Sequence, residues 1–166
     1  MKQKNRPRFK FVISALLGIV IIASYWYWGP LATVSLVYAN RAIDGDTIEV
    51  NGFYRVRYIG IDTPETVHPT KPVEFWGPEA SQRNKELTER KLILLVRDGR
   101  NKDDYDRLLR YIYLANGVNI NAQLVAEGHA YYANYGDGFR FQAEILQLEK
   151  EARDGKRGLW QNTPNR

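Results

Sequence analysis

The stretch TIEVNGFYRVRYIGI, from Thr47 to Ile61, predicts a β-hairpin. Thr47 to Val50 and Phe53 to Ile61 are both strand-forming, and the dipeptide Asn51-Gly52 lies between them. Asn-Gly is a strong two-residue hairpin signal because both of its positions tolerate positive φ. We therefore expect these two strands to be antiparallel neighbours, and we build the rest of the fold around them.

Segments on both sides of the hairpin complete a small α+β domain. Val34 to Ala42 is predicted as a strand before the hairpin, and Leu92 to Val96 and Arg107 to Leu114 as two strands after it. Helices are predicted over 77–90, 119–128 and 139–153, where apolar residues recur at helical spacing or a Pro or Asn marks the start. Five short strands with three helices are typical of an OB-fold barrel with helical cover.

A separate apolar segment precedes the domain. Residues 1–10 carry five basic residues, and residues 11–28, FVISALLGIVIIASYWYW, carry no charge. An apolar helix of that length can nearly cross a hydrocarbon core of about 30 Å. The basic flank predicts a cytoplasmic N-terminus, so we expect a membrane anchor at 11–28 and a domain at 34–161 outside the cell. The alternative is a secretory signal cleaved near Ala39, which would release the domain.

Composition restricts the chemistry more than it identifies a substrate. The net charge is +5, from 24 basic and 19 acidic residues, and the five basic residues of the N-terminus account for the whole excess. The chain has no cysteine, which excludes disulfides and thiolate metal sites. Its two histidines, His68 and His129, are fewer than the ligands of an ordinary zinc site.

Acidic residues are concentrated in two turn-prone stretches, DGDT at Asp44 to Thr47 and GIDTPET at Gly60 to Thr66. The antiparallel return of the hairpin brings the end of the third strand towards the start of the second. Asp46 and Asp62 can therefore approach each other, and hard cations such as calcium bind carboxylate and carbonyl oxygens of this kind. Turn chemistry alone also accounts for each acid singly, so the spacing leaves a solvated turn as the alternative.

Arginines accompany these acids. Arg55 and Arg57 share one face of the third strand, and Arg107 and Arg110 lie at the start of the fifth. A guanidinium group binds phosphate through two parallel hydrogen bonds and keeps its charge at any working pH. Single exposed arginines are common on strands, but acids and arginines together in so small a domain indicate a phosphate site.

Several motifs taken together resemble the staphylococcal nuclease (thermonuclease) family. In chain order they are AIDGDT (42–47), IDTPETVHP (61–69), GPEAS (77–81), YDRLLRYIY (105–113), LVAEGHA (124–130) and Leu159-Trp160. They follow the family's order and spacing over nearly the whole of the predicted domain. The resemblance implies a five-stranded OB-type barrel with three helices that hydrolyses DNA and RNA at the 5′ P–O bond with calcium. We expect single-stranded substrates, because a shallow barrel face binds splayed strands through stacking and backbone contacts, and we expect a monomer.

The resemblance also assigns roles to single residues. Asp46 and Asp62 match the calcium-binding carboxylates, and Thr63 matches a ligand through its main-chain carbonyl. Glu65 matches the residue that orients or deprotonates the attacking water. The other matches are Asp44 as an acid behind the metal ligands, and Arg57 and Arg107 as phosphate-binding arginines. Tyr105 and Tyr135 are possible substrate-binding rings, but the tyrosines of 131–135 are shifted from the family's spacing, and core packing is the alternative.

One stretch departs from the family's pattern. Asp106 stands where the family has the glycine of its Tyr-Gly-Arg motif, Asp104 stands where a lysine is often found, and Asp103 precedes both. Three acids beside Arg107 are expected to weaken its attraction for phosphate. This departure mildly favours the alternative of a weak or silent barrel that only binds nucleic acid or protein. The complete set of acids, base and arginines favours an enzyme, because a binding module needs no such set.

Overall fold

The computed structural model describes residues 33–66, 72–134, 136 and 138–161. Strands are β1 (Val34–Ala42), β2 (Thr47–Val50), β3 (Tyr54–Tyr58), β4 (Ile61–Asp62), β5 (Lys91–Val96), β6 (Leu108–Tyr113) and β7 (Tyr131–Tyr132). Helices are α1 (Gly77–Thr88), α2 (Ile120–Ala126) and α3 (Gln142–Asp154), followed by a 3₁₀ turn at Gly158–Trp160. The predicted five-stranded barrel with three helices is confirmed for these residues.

The barrel closes in the order β1-β2-β3-β6-β5. The predicted hairpin is present: β2 pairs antiparallel with β3, with Thr47 opposite Arg57, and Asn51 and Gly52 have φ of 51° and 80°. β3 and β6 run parallel, with Val56 opposite Leu108, and the other barrel pairs are antiparallel. Apolar residues that alternate along the strands fill the interior, as the two-residue period of a strand requires.

The third strand is shorter than predicted. β3 ends at Tyr58, and the chain turns at Gly60, whose φ of 77° is in the left-handed region. A Cβ atom at Gly60 would also overlap the ring of Phe139. After this turn β4 leaves the barrel and pairs with β7 in a second sheet that the sequence did not predict. Asp62 therefore lies in that second sheet, beside the barrel strand that carries Arg57.

The helices begin close to where their caps predict. The side chain of Asn119 caps α2 by accepting from the backbone N–H of Ala122, and Pro78 lies in the first turn of α1. α3 begins at Gln142 rather than Phe139, and Phe139 instead packs against the core.

The predicted apolar face of α3 is confirmed. Ile145 and Ala152 are buried, and Phe141 and Leu148 pack on the core. The expected anchor at 11–28 lies outside the described residues. No helix within the described part of the chain is long and apolar enough to span a bilayer.

Gly128 allows the C-terminal turn to pack closely against the end of α2. Its φ is 77°, its carbonyl accepts from the backbone N–H of Leu159 at 2.8 Å, and an added Cβ would overlap the carbonyl of Arg157. We expect Gly128→Ala to lower the free energy of unfolding by about 2–5 kcal/mol, from the left-handed φ plus overpacking. Denaturant unfolding followed by tryptophan fluorescence measures this loss.

Gly117 provides the matched control, because its φ is 85° and an added Cβ there meets nothing within 4 Å. Gly117→Ala should cost only the backbone contribution, about 1–2 kcal/mol. Equal losses in the two variants would show that close packing at Gly128 is unimportant.

Candidate active site

Two carboxylates converge on one guanidinium group beside the barrel. Nη1 of Arg57 donates to Oδ1 of Asp46, and Nη2 of Arg57 donates to Oδ1 of Asp62. The hairpin register sets this contact, because Arg57 lies opposite Thr47, the residue after Asp46. The structure therefore brings together the two acids and the arginine that the sequence singled out.

Asp46 is fully buried and receives hydrogen bonds on both oxygens. Besides Arg57, its Oδ1 accepts from Oγ1 of Thr47 at 3.1 Å. Its Oδ2 accepts from the backbone N–H of Thr63 at 2.9 Å and from Oγ1 of Thr63 at 3.1 Å. Burial raises the pKa of Asp46 well above its ordinary value, and the charge of Arg57 opposes that shift. The ionised form of this carboxylate therefore depends on a nearby positive charge.

Asp44 lies behind this pair and connects it to α1. Its Oδ1 accepts from the backbone N–H of Asp46 at 3.0 Å, and its backbone carbonyl accepts from Nδ2 of Asn84 at 2.8 Å. The hydroxyl of Tyr58 donates to Oδ1 of Asn84 at 2.7 Å. Asn84 and Tyr58 are both fully buried and were not predicted as site residues, although a buried asparagine within a helix requires polar partners of this kind.

Asp62 is positioned from its other side by a tyrosine. The hydroxyl of Tyr131, on β7, donates to Oδ2 of Asp62 at 3.0 Å. This contact was not predicted from the sequence, because it depends on the second sheet, in which Asp62 pairs with Tyr131. Each oxygen of Asp62 thus has a donor, one from β3 and one from β7.

Glu65 lies just beyond β4, in the turn that leads to α1. Its Oε1 accepts from the backbone N–H of Thr66 at 3.0 Å, and its own N–H donates to Oε2 of Glu74 at 3.0 Å. The carbonyl of Glu65 accepts from the N–H of Glu74 at 2.9 Å. These paired contacts fix the backbone of Glu65 three residues after Asp62.

A cleft of about 260 Å³ lies next to the cluster, and both predicted phosphate-binding arginines, Arg57 and Arg107, line it. The carboxylate of Asp103 accepts from Nε of Arg107 at 2.6 Å and from its backbone N–H at 2.9 Å. The guanidinium of Arg107 lies 5.4 Å from the ring centre of Tyr105, which is 81% exposed. The cleft thus combines Arg57 and Arg107 with one exposed aromatic ring, and Arg100 and three aspartates line it as well.

With this geometry in place, comparison with known proteins identifies the family. The protein-family model described as "Staphylococcal nuclease homologue" matches residues 55–162 of this chain. The chain belongs to the staphylococcal nuclease family. It is 37% identical to a thermonuclease of Staphylococcus hyicus over 161 residues, which is 91% of this chain and 95% of that protein. The predictions of this family and of a nuclease-type hydrolase are confirmed at that level.

Bacillus subtilis (strain 168) supplies two further relatives. Endonuclease YncB is 41% identical over 126 residues, covering 73% of this chain and 59% of that protein. The SPbeta prophage-derived endonuclease YokF is also 41% identical over 126 residues, covering 73% of this chain and 42% of that protein. The similarity to these two proteins therefore concerns one part of each.

The three acids that depart from the staphylococcal nuclease pattern each have a basic partner. Asp103 pairs with Arg107, Asp104 with Arg100, and Asp106 with Lys102 at 2.6 Å. Asp106 has φ of 64°, so it adopts the left-handed conformation that a glycine takes most easily and that Asp tolerates. These ion pairs neutralise much of the acidity that the sequence predicts beside Arg107.

The other two arginines of β3 and β6, Arg55 and Arg110, do not line the cleft. Arg55 is exposed on β3, opposite Glu49. Arg110 is fully buried, with hydrogen bonds to the carbonyl of Asn101 at 3.1 Å and to its Oδ1 at 2.8 Å. Burial lowers the pKa of Arg110 to about 10. Arg110 therefore holds the β5–β6 loop, while Arg57 and Arg107 line the cleft.

The cluster offers oxygen ligands, which suit a hard divalent cation. Asp46 and Asp62 offer carboxylate oxygens to one group, and oxygen donors are what calcium prefers. In the structure the positive charge between them comes from Arg57. Among the described residues, no group of three or more His, Cys, Asp or Glu side chains forms a metal site. Tyr135, the second predicted substrate-binding ring, lies outside those residues.

Proposed function

We propose that the chain is a calcium-dependent phosphodiesterase that cleaves single-stranded DNA and RNA at the 5′ P–O bond. One observation carries this proposal: Asp46 and Asp62 share the guanidinium of Arg57 at a cleft that Arg107 also lines. Two acids beside two arginines match the requirements of a phosphodiester site, where a cation and guanidinium groups surround one phosphate. Membership of the staphylococcal nuclease family supports the same chemistry.

The calcium ion would be held by Asp46, Asp62 and the main-chain carbonyl of Thr63. When bound, it supplies positive charge to a phosphate oxygen. Asp44 and Tyr131 position the two carboxylates through hydrogen bonds at 3.0 Å to the N–H of Asp46 and to Oδ2 of Asp62. These neighbours orient the ligands before any ion arrives.

Arg57 and Arg107 bind the oxygens of the scissile phosphate. Negative charge increases on these oxygens as water attacks phosphorus, and two fixed guanidinium groups stabilise that charge where it develops. Asp103 holds Nε of Arg107, so the direction of this side chain is set before the substrate binds.

Glu65 accepts a proton from the attacking water. The new bond forms between the water oxygen and phosphorus, the bond from phosphorus to the 5′ oxygen breaks, and the leaving oxygen takes a proton from solvent. A carboxylate in hydrogen-bond reach of the water contributes about two to four powers of ten to the rate. Hydrogen bonds to Glu74 hold the backbone of Glu65, which lies three residues after Asp62 in the chain.

Single strands fit the cleft better than duplex does. Tyr105 is 81% exposed beside Arg107, and an exposed ring can stack on a base that is free of its partner. Tyr135 is proposed as a second such ring. The products test the bond that is cleaved. A short single-stranded oligonucleotide should yield fragments with 3′-phosphate and 5′-hydroxyl ends, whereas fragments with 5′-phosphate ends would contradict cleavage of the 5′ P–O bond.

We further propose that the monomeric domain is held outside the cell by a membrane anchor at residues 11–28. Cleavage near Ala39 is disfavoured because Ala39 is a fully buried residue of β1. Removing Val34 to Ala39 would delete the whole ladder between β1 and β5 and open the barrel. Fractionation of cells tests this proposal: the full-length chain should be found with membranes, and a soluble product that begins near Asn40 would contradict it.

Asp104 is expected to weaken the binding of nucleic acid at the cleft. Its carboxylate is 84% exposed, lines the cleft and pairs with Arg100. Asp104→Lys should strengthen binding of single-stranded DNA at low salt and steepen the dependence of log K on log salt by about 0.7–1.4, since one acid is lost and one base gained. Fluorescence anisotropy over a range of salt concentrations measures both effects.

Asp154→Lys is the matched control. Asp154 is 66% exposed and pairs with Lys150 four residues away at 2.6 Å, as Asp104 pairs with Arg100, but it lies on α3 away from the residues that line the cleft. An equal change in both variants would show that only net charge matters and that Asp104 has no local effect.

A further inference from the structure

The outer surface of β1 and β5 is apolar over three consecutive cross-strand pairs. Three cross-strand pairs face outward together, and they form what we name the β1–β5 face: Val34 with Val96, Leu36 with Leu94, and Tyr38 with Leu92. The alternate residues of both strands, such as Val37 and Ile93, are buried in the barrel. The β1–β5 face is therefore a second apolar surface on strands that already fill the core with their other side.

Much of this surface is in contact with solvent. The exposed fractions are 59% for Val34, 46% for Leu36 and 60% for Leu92. Neither strand contains an acidic residue. A continuous apolar patch of this kind is typical of an interaction surface.

The position of the β1–β5 face in the chain indicates which partner this is. The uncharged apolar run ends at Trp28, and β1 begins at Val34. The connecting residues 29–33 span at most roughly 20 Å even when fully extended. A membrane anchor at 11–28 would therefore keep β1 next to the bilayer, and a tether this short gives even a weak contact a high effective concentration.

We propose that the β1–β5 face docks on the outer surface of the lipid bilayer. Val34, Leu36 and Leu92 enter the interfacial region, where burial of their exposed apolar side chains provides the binding. This inference rests on the proposed anchor and does not require the proposed nuclease chemistry.

Docking leaves the strand that carries Arg57 away from the membrane. In the closed order β1-β2-β3-β6-β5, the strand farthest from the β1–β5 pair is β3, which carries Arg57. Asp98 to Arg100, which also line the cleft, follow directly after β5 and would lie nearer the membrane. The anchor then fixes the orientation of the domain as well as its location.

Single cysteines test the docking, because the chain has none of its own. The full-length chain is reconstituted in vesicles of phosphatidylcholine with phosphatidylglycerol, with an environment-sensitive fluorophore on Leu92→Cys. The matched control is Leu146→Cys, an exposed leucine on α3. We expect quenching by aqueous iodide to be several-fold weaker at position 92 than at 146, and quenching by nitroxide-labelled lipid to be several-fold stronger.

The other outcomes overturn the proposal in distinguishable ways. Equal iodide quenching at the two positions would show that the β1–β5 face stays in water. Protection from iodide without quenching by nitroxide lipid would show that protein covers the face, either a second copy or the N-terminal segment. Failure of the chain to float with vesicles would overturn the anchor and the docking together, while leaving the nuclease assay unaffected.

Discussion

Arg57→Ala should lower the rate of single-stranded DNA cleavage by about three orders of magnitude or more, an effect typical of arginines that stabilise a phosphoryl transition state. It should also destabilise the barrel. The side chain of Arg57 is 12% exposed, and that of its partner Asp46 is fully buried. Removing one member of a buried ion pair leaves an uncompensated charge, which costs about 3–5 kcal/mol. Cleavage kinetics and denaturant unfolding measure the two losses separately.

Arg55→Ala is the matched control for this prediction. Arg55 lies on the same strand two residues earlier, but it is exposed and opposite Glu49, so its loss should change neither rate nor stability appreciably. Arg57→Lys should restore part of the stability and little of the activity, because lysine keeps the charge but lacks the two-nitrogen fork that contacts Asp46 and Asp62 together. Wild-type cleavage by Arg57→Ala would remove this residue from the site.

Glu65→Gln should lower kcat by about two to four powers of ten, because the amide cannot accept the proton of the attacking water. Its effect on the binding of single-stranded DNA should be small. Single-turnover cleavage gives the chemical rate, and anisotropy in the presence of chelator gives the affinity. A parallel loss of affinity and rate would indicate that Glu65 binds substrate rather than assisting the chemical step.

Glu74→Ala separates catalysis from local structure. The Glu74 carboxylate accepts from the backbone N–H of Glu65 at 3.0 Å, so this variant removes that contact without removing the proposed base. We expect it to retain most of its activity. If Glu74→Ala were as slow as Glu65→Gln, the role of Glu65 would be to support the local backbone.

The sequence was sufficient to predict the barrel, from five strand-forming and three helical segments, and the hairpin was sufficient to predict that the two acidic stretches approach each other. Asn51 and Gly52 adopt the positive φ that their dipeptide predicts, and the resulting register places Arg57 opposite Thr47, beside Asp46. The spacing of the family's motif favoured Arg57 over Arg55 as the phosphate-binding arginine. In the structure the guanidinium of Arg57 contacts Asp46, whereas Arg55 is exposed.

Contacts between distant segments could not be predicted in the same way. β4 and β7 have two residues each, too few for any periodic signal, so the link from Asp62 to Tyr131 across 69 positions was missed. The role of Asn84 was missed because it depends on how α1 docks against the loop at Asp44. In the loop before β6, the sequence shows the acids, but their pairing with Arg100 and Lys102 depends on the backbone turn at Asp106.

Calcium dependence of cleavage by the full-length chain tests the proposed metal role of Asp46 and Asp62. A labelled single-stranded oligonucleotide is incubated with the protein in calcium, then with excess chelator, and then with calcium restored. We expect cleavage to stop on chelation and to recover when calcium returns, because we propose that Asp46 and Asp62 hold the ion. Cleavage that continues unchanged in chelator would contradict a metal role for these two carboxylates.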